Sequence, residues 1–280
     1  MRIQLLRTLA LATAIACMAP RAAAALQSAA QRTAPWPTGV VELTESLPVQ
    51  DGGRVKPMHT YSSFLLLRLN GRRSVTTPSG EKLEPVEWLL DLLFFPEMAG
   101  SYQVFLVQDV QAAEAIGISV GDKRKRDRYS FDELRPGLDR LFELARQYGA
   151  IEEKDRSTLQ QQVFLLANNV DEYARLATHL DYGRRSIPVG AGPRLSKLFG
   201  GQAETTFSGA LSKMSELRAL QEEIGKDPKR ADEQRAVSDL LQTTADLTNG
   251  TESLALMPPA DTAARDLAWS TPSDVILQAI

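Results

Sequence analysis

Thr158-Leu159-Gln160-Gln161-Gln162-Val163-Phe164-Leu165-Leu166-Ala167-Asn168-Asn169-Val170-Asp171-Glu172-Tyr173-Ala174-Arg175-Leu176-Ala177-Thr178-His179-Leu180 decides the fold class. Leu159, Val163, Leu166, Val170, Tyr173, Ala177 and Leu180 recur every three or four positions, which places them on one face of an α-helix. The spacing predicts a long helix from about Lys154 to Tyr182. Similar patterns flank it. Upstream, Ser130-Phe131-Asp132-Glu133 is a capping box, and a helix is expected to run through Leu134, Leu138, Leu141, Phe142 and Ala145 to Gly149. Downstream, Phe207, Leu211, Met214, Leu217, Leu220 and Ile224 form a stripe that stops at Gly225, and a further helix is expected between Asp227-Pro228 and Asn249-Gly250.

The first half of the chain adds shorter elements. Thr60 opens a helix carrying Phe64, Leu65 and Leu67 to a stop at Asn70-Gly71. Pro85 suits the first position of another, with Val86, Trp88, Leu89, Leu92 and Leu93 before Pro96. Val104-Phe105-Leu106-Val107 suits a buried strand, and Asp109 suits the cap of a small helix through Ile116. The expected fold is mainly α: a multi-helix extracytoplasmic domain with a few short β-strands near its N-terminal half.

The N-terminus explains the word extracytoplasmic. Arg2 and Arg7 precede an apolar run from Thr8 to Ala19, and Ala22-Ala23-Ala24 offers a cleavage site. The run is too short for a spanning helix, which needs about 20 apolar residues. Residues 1–24 are therefore read as a signal peptide, and the protein is expected to be exported, to the periplasm or the outer face of the cytoplasmic membrane. Cys17, the single cysteine, lies inside that run in a loose lipoprotein-like context and is read as an ordinary small residue. The body after it has no thiol pair, hence no disulfide and no CxxCH haem-attachment motif. Removing Arg2, Arg7 and Arg21 takes the formal charge from −3 to −6, which argues against a nucleic-acid partner.

The organisation read from composition is a flexible tether at 25–39, an α-rich domain with a small β element at 40–182, a Gly/Pro hinge at 183–201 and a C-terminal helical segment at 202–280. Gly190-Ala191-Gly192 is followed by Pro193 within that hinge. Thr271-Pro272-Ser273-Asp274 is a good helix start with only two turns after it, so a continuation lost or separately encoded is expected.

No catalytic constellation stands out. The chain lacks HExxH, GxSxG, a Walker loop and a Gly-rich dinucleotide turn, and is read as no enzyme by itself. His179 is read as a charge complementing a helix C-terminus or as an exposed residue, and His59 as helix-entry packing. No metal site or firmly bound cofactor is expected. Lys123-Arg124-Lys125-Arg126-Asp127-Arg128 places five positive charges in six residues and is read as a solvated loop, with contact to an anionic surface or partner as the sharper alternative. Glu152-Glu153 and Asp171-Glu172 are read as exposed helix faces.

Leu47-Pro48-Val49-Gln50-Asp51-Gly52-Gly53-Arg54-Val55-Lys56-Pro57-Met58-His59-Thr60 is the most specific segment. Its glycines suit a tight hairpin or a reversed loop, with short arms bounded by Pro48 and Pro57. The segment resembles one in the extracytoplasmic region of system II cytochrome c synthases of the CcsA/ResC type. The resemblance lies at Leu47, Pro48, Val49, Gln50, Gly53, Arg54, Lys56, Pro57 and Thr60. Weaker likenesses follow at Glu87–Phe94, Val104–Val107, Arg128–Leu134 and Leu256-Met257-Pro258-Pro259 with Trp269. His59 departs from the usual Asp or Asn. The family's membrane helices, Trp-rich loop and haem-ligating histidines have no counterpart here, so no ligand role carries over.

The resemblance implies an accessory component, or a fragment, of cytochrome c biogenesis. It would dock on a polytopic membrane synthase component or guide apocytochrome c, with haem implied only through that partner. Gln50, Gly53, Arg54, Lys56, Pro57 and Thr60 would form the partner contact, with Arg54 and Lys56 available to a carboxylate or haem propionate. The rival readings are an envelope scaffold unrelated to haem and, third, a hydrolase using dispersed acids.

Overall fold

The structure is a computed structural model and describes residues 31–225, 228–259 and 268–279. Residues 1–24, read as a signal peptide, Cys17 among them, and the first part of the expected tether lie outside the described residues. Within them the chain is mainly α, with four antiparallel sheets of two short strands each. No helix among them is long and apolar enough to cross a membrane.

Helix α1 (Thr38–Ser46) leads into a hairpin of β1 (Pro48–Asp51) and β2 (Arg54–Pro57), followed at once by α2 (Met58–Asn70). Gly71 closes α2 in the left-handed conformation expected of a helix-ending glycine. A small pair, β3 (Val75–Thr76) with β4 (Lys82–Leu83), precedes α3 (Pro85–Phe94), which Glu84 and Glu87 cap reciprocally. After α4 (Pro96–Ala99), strand β5 (Phe105–Val107) reaches across α5 (Val110–Ala115) to pair with β6 (Asp127–Tyr129). Asp109 caps α5, accepting from the Gln111 amide at 3.1 Å.

The capping box at Ser130 is present, with Ser130 Oγ accepting from Glu133 N at 3.1 Å. The helix it opens is interrupted, however: α6 (Phe131–Leu134) gives way to a 3-10 turn at Arg135–Gly137 before α7 (Leu138–Gly149). Pro136 supplies no amide hydrogen, which is why one continuous helix does not form. Helix α8 (Thr158–Thr178) is shorter than its stripe suggested because Ser157 and Gln160 form a capping box inside the expected range. Val163, Leu166, Val170, Tyr173 and Leu176 on α8 are buried in the larger core. The Phe105 and Phe131 rings lie 5.1 and 5.2 Å from Tyr173.

The segment 183–201 is folded rather than an open hinge. After α9 (Asp181–Arg184), strand β7 (Ile187–Pro188) pairs with β8 (Glu204–Thr205), and α10 (Pro193–Leu198) lies between them. Ile187, Val189 and Leu195 are fully buried in a second core. That core also holds residues of α11 (Phe207–Leu211), α12 (Met214–Ile224) and α13 (Ala231–Asn249). Two glycines of the segment serve close approach: a Cβ on Gly190 would stand 2.7 Å from the Ala236 methyl, and one on Gly192 2.6 Å from Glu233. Buried Glu233 in turn accepts from the Arg194 and Leu195 amides at 2.9 and 3.3 Å.

The second half of the tether is also anchored. Arg32 Nε and Trp36 Nε1 donate to Asp91 Oδ1 at 2.9 and 2.8 Å, and Tyr102 OH donates to Asp91 Oδ2 at 2.9 Å. Asp91 sits on α3 with its side chain wholly buried. Order therefore begins before Val40, because a buried carboxylate must recruit donors and the nearest suitable ones lie on this strap.

After α13 a 3-10 turn (Gly250–Ser253) carries the chain back so that Leu254 joins the larger core. The last described element is α14 (Pro272–Ala279).

Candidate functional site

The Leu47–Thr60 segment is a tight hairpin rather than a reversed loop. Asp51 pairs with Arg54 across a two-residue turn in which Gly52 and Gly53 take φ of 58° and 73°. Two consecutive positive φ values are what a type I′ turn needs, and glycine adopts them without steric cost. The Met58 amide donates to Leu47 O at 2.7 Å, so hairpin and α2 share a closed base. Pro57 stands at the N-cap of α2, and Thr60 lies in its first turn.

Each side chain of the motif has a distinct position. Val49 is buried, 1 % exposed, and holds the hairpin to the core. Gln50 ties it to the far end of the chain: its amide donates to Ala255 O at 3.0 Å, and its Oε1 accepts from Trp269 N at 2.8 Å. The extended segment around Met257, paired with Ser270, therefore lies beside the hairpin. Lys56 Nζ is bonded to Asp51 Oδ2 at 2.7 Å, so its charge is already partly answered. Arg54 is exposed at the turn and makes no side-chain hydrogen bond or ion pair among the described residues. His59 is not packed at the helix entry; its Nδ1 lies 3.3 Å from Glu45 Oε1 on the surface.

The basic run does not form one positive patch. Lys123 lies 4.4 Å above the Tyr129 ring and 2.8 Å from Glu133 Oε1, and also donates to Arg128 O. Lys125 pairs with Asp109 at 3.3 Å. Arg128, in β6, donates to Asn70 O at 2.9 and 3.1 Å, holding the end of α2. Arg124 and Arg126 remain exposed, Arg126 with φ of 62°. The solvated-loop reading fits Arg124, Lys125 and Arg126 but not Lys123 and Arg128, because cations beside aromatic rings and helix-end carbonyls are drawn into structure.

His179 is neither exposed nor charged. It is 1 % exposed at the end of α8, and burial lowers its pKa to about 4. The folded state keeps the ring neutral where the unfolded chain protonates, so His179 contributes stability above pH ~6.5 that is lost as pH falls towards about 4. The loss amounts to roughly 3 kcal/mol. Titrating the ring by NMR should place its midpoint near 4, and the stability difference between wild type and His179→Gln should narrow across that window. A midpoint near 6.5 would contradict this burial.

Around the hairpin lie two adjoining clefts that share Asp51, Tyr61 and Glu172. One, of about 250 Å³, is also lined by Gln50, Arg175, Glu252 and Ser253; the other, of about 350 Å³, is flanked by Phe64 and Arg68 of α2. Glu172 is ion-paired with Arg68 rather than lying idle on an exposed face, whereas Asp171 pairs with Arg175 at 3.1 Å in solvent. Glu152 pairs with Lys154 on the surface, as its exposed reading required. Sequence reading missed Tyr61, Glu252 and Ser253 as neighbours of the motif. Only Tyr61 carried a local signal, as the first aromatic after Thr60. Among the described residues no group of three or more His, Cys, Asp or Glu could hold a metal ion.

Comparison of the chain with protein-family models, with curated proteins and with solved structures gives no match.

Proposed function

We propose that the protein is an exported accessory component of cytochrome c biogenesis that docks, through the Leu47–Thr60 hairpin, on a polytopic membrane partner that handles haem. One observation supports this reading above the others. The hairpin and the chain at Ala255 and Trp269, which carry the two ends of the resemblance, are hydrogen-bonded to each other through Gln50. They make one stiff surface element with the unpaired Arg54 at its tip. A guanidinium held on a two-residue turn suits a carboxylate or propionate, since its paired N–H groups match two oxygens at once. Lys56, bonded to Asp51, would act as a second, weaker contact.

The test is a deletion strain complemented with wild type or with Arg54→Ala, Lys56→Ala, scored by haem staining of c-type cytochromes. The double variant should lower holo-cytochrome yield while its melting temperature stays close to wild type, because exposed ion pairs contribute only about 0–1 kcal/mol. Normal staining in the deletion strain would remove the cytochrome reading and leave an envelope scaffold.

A further inference from the structure

The cleft behind the hairpin is rich in carboxylates, and its chemistry goes beyond the docking role proposed above without resting on it. Three carboxylates line the smaller cleft, Asp51 from β1, Glu172 from α8 and Glu252 from the 3-10 turn. Its one lining base among the described residues, Arg175, is held by Asp171. Glu252 makes no ion pair or side-chain hydrogen bond among the described residues. Asp51 gives one oxygen to Lys56, which lines neither cleft, and Glu172 gives one to Arg68, which lines the larger cleft.

The second observation is Tyr61. It is only 7 % exposed, lines both clefts, and its phenol has no hydrogen-bond partner among the described residues. Burial, followed by the charges of Glu172 and Asp51, pushes its pKa up, so the phenol stays neutral and its oxygen is available as an acceptor. The Ser253 Oγ, on the same cleft, is buried without a hydrogen-bond partner among the described residues. Buried polar groups are nearly always bonded, so the orphan Ser253 hydroxyl beside an unpaired carboxylate calls for a donor-rich guest, and the Tyr61 phenol adds an acceptor on the same wall. An anion would meet three carboxylates. A cationic nitrogen would find charge and acceptors together.

We propose that this cleft binds a protonated alkylamine or guanidinium, carried either by a free amine or by a Lys or Arg side chain of a polypeptide, with Glu252 as its counter-charge and Tyr61 and Ser253 as acceptors. The cleft suits one extended side chain, since its walls come from four separate elements that close round a small volume.

The exported chain, titrated by calorimetry with agmatine, with cadaverine and with a short arginine-containing peptide, tests the proposal. A peptide with citrulline in place of arginine is the neutral control. The Trp269 amide, bonded to the Gln50 side chain at the cleft wall, is a local NMR reporter. At least one cationic probe should bind and shift that amide, and the citrulline peptide should not. Glu252→Gln, on an exposed side chain, should weaken binding about tenfold, and Tyr61→Phe by a smaller factor. Equal binding of agmatine and peptide would identify a free amine as the ligand, and binding of the peptide alone a polypeptide. No binding by any cation, equal binding of the citrulline peptide, or unchanged affinity in Glu252→Gln would overturn the proposal.

Discussion

Asp91→Ala is expected to destabilise the protein by about 3–5 kcal/mol, the cost of breaking a buried ion pair from one side. The carboxylate is the common acceptor for Arg32, Trp36 and Tyr102, and its side chain is fully buried. Removing it leaves a guanidinium that is itself nearly buried with Glu81, at 2.9 Å, as its one carboxylate and the Ala34 carbonyl, at 2.8 Å, as its other acceptor. It also leaves an indole N–H and a phenol without acceptors. The strap at 31–37 should then detach. The Trp36 ring, 5.8 and 5.9 Å from Phe94 and Phe95, would become accessible to solvent. Denaturant unfolding gives the stability loss, and iodide quenching of tryptophan fluorescence in the folded variant reports the strap. A loss below about 1 kcal/mol with unchanged quenching would mean that solvent reaches the carboxylate and the strap docks by other means.

Leu166→Asp should cost several kcal/mol, because it places an unpaired charge in the larger core. Leu166 is 5 % exposed on α8, amid Val163, Ala167 and Val170 of the same buried face. Leu165, the adjacent residue, is 50 % exposed and supplies an internal control. Leu165→Asp should change stability by no more than about 0.5 kcal/mol. Paired thermal melts followed by far-ultraviolet circular dichroism decide the matter. Similar small shifts in both variants would show that the α8 stripe is not core.

These two residues mark how far a single sequence can be read. The face of α8 is set by residues three and four apart, so the burial of Leu166 was legible from spacing alone. Ser130 and Pro85 after Glu84 mark helix starts for the same reason, since a cap and its partner lie within one turn. The equally local Ser157 box is overrun by a stripe read back to Lys154. The Gly52-Gly53 turn was legible too, as one of two options, because φ preference belongs to the residue itself.

Tertiary structure alone decided the remainder. Nothing near Asp91 in the chain announces that a carboxylate in an apolar helix is answered by Arg32 and Trp36, 59 and 55 residues away. Gln50 meets Trp269 across 219 residues. The glycine-rich stretch 183–201 looked like a hinge because local composition cannot distinguish freedom from close packing, and only the fold brings α13 against Gly190 and Gly192. Burial of His179 and dispersal of the basic run follow the same logic. The clefts beside the hairpin gather Asp51, Tyr61, Glu172 and Glu252 from four separate stretches. Backbone geometry and periodicity are local and survive in the sequence. Side-chain partnership across the fold depends on which surfaces the packed helices bring together, and local pattern carries no record of it.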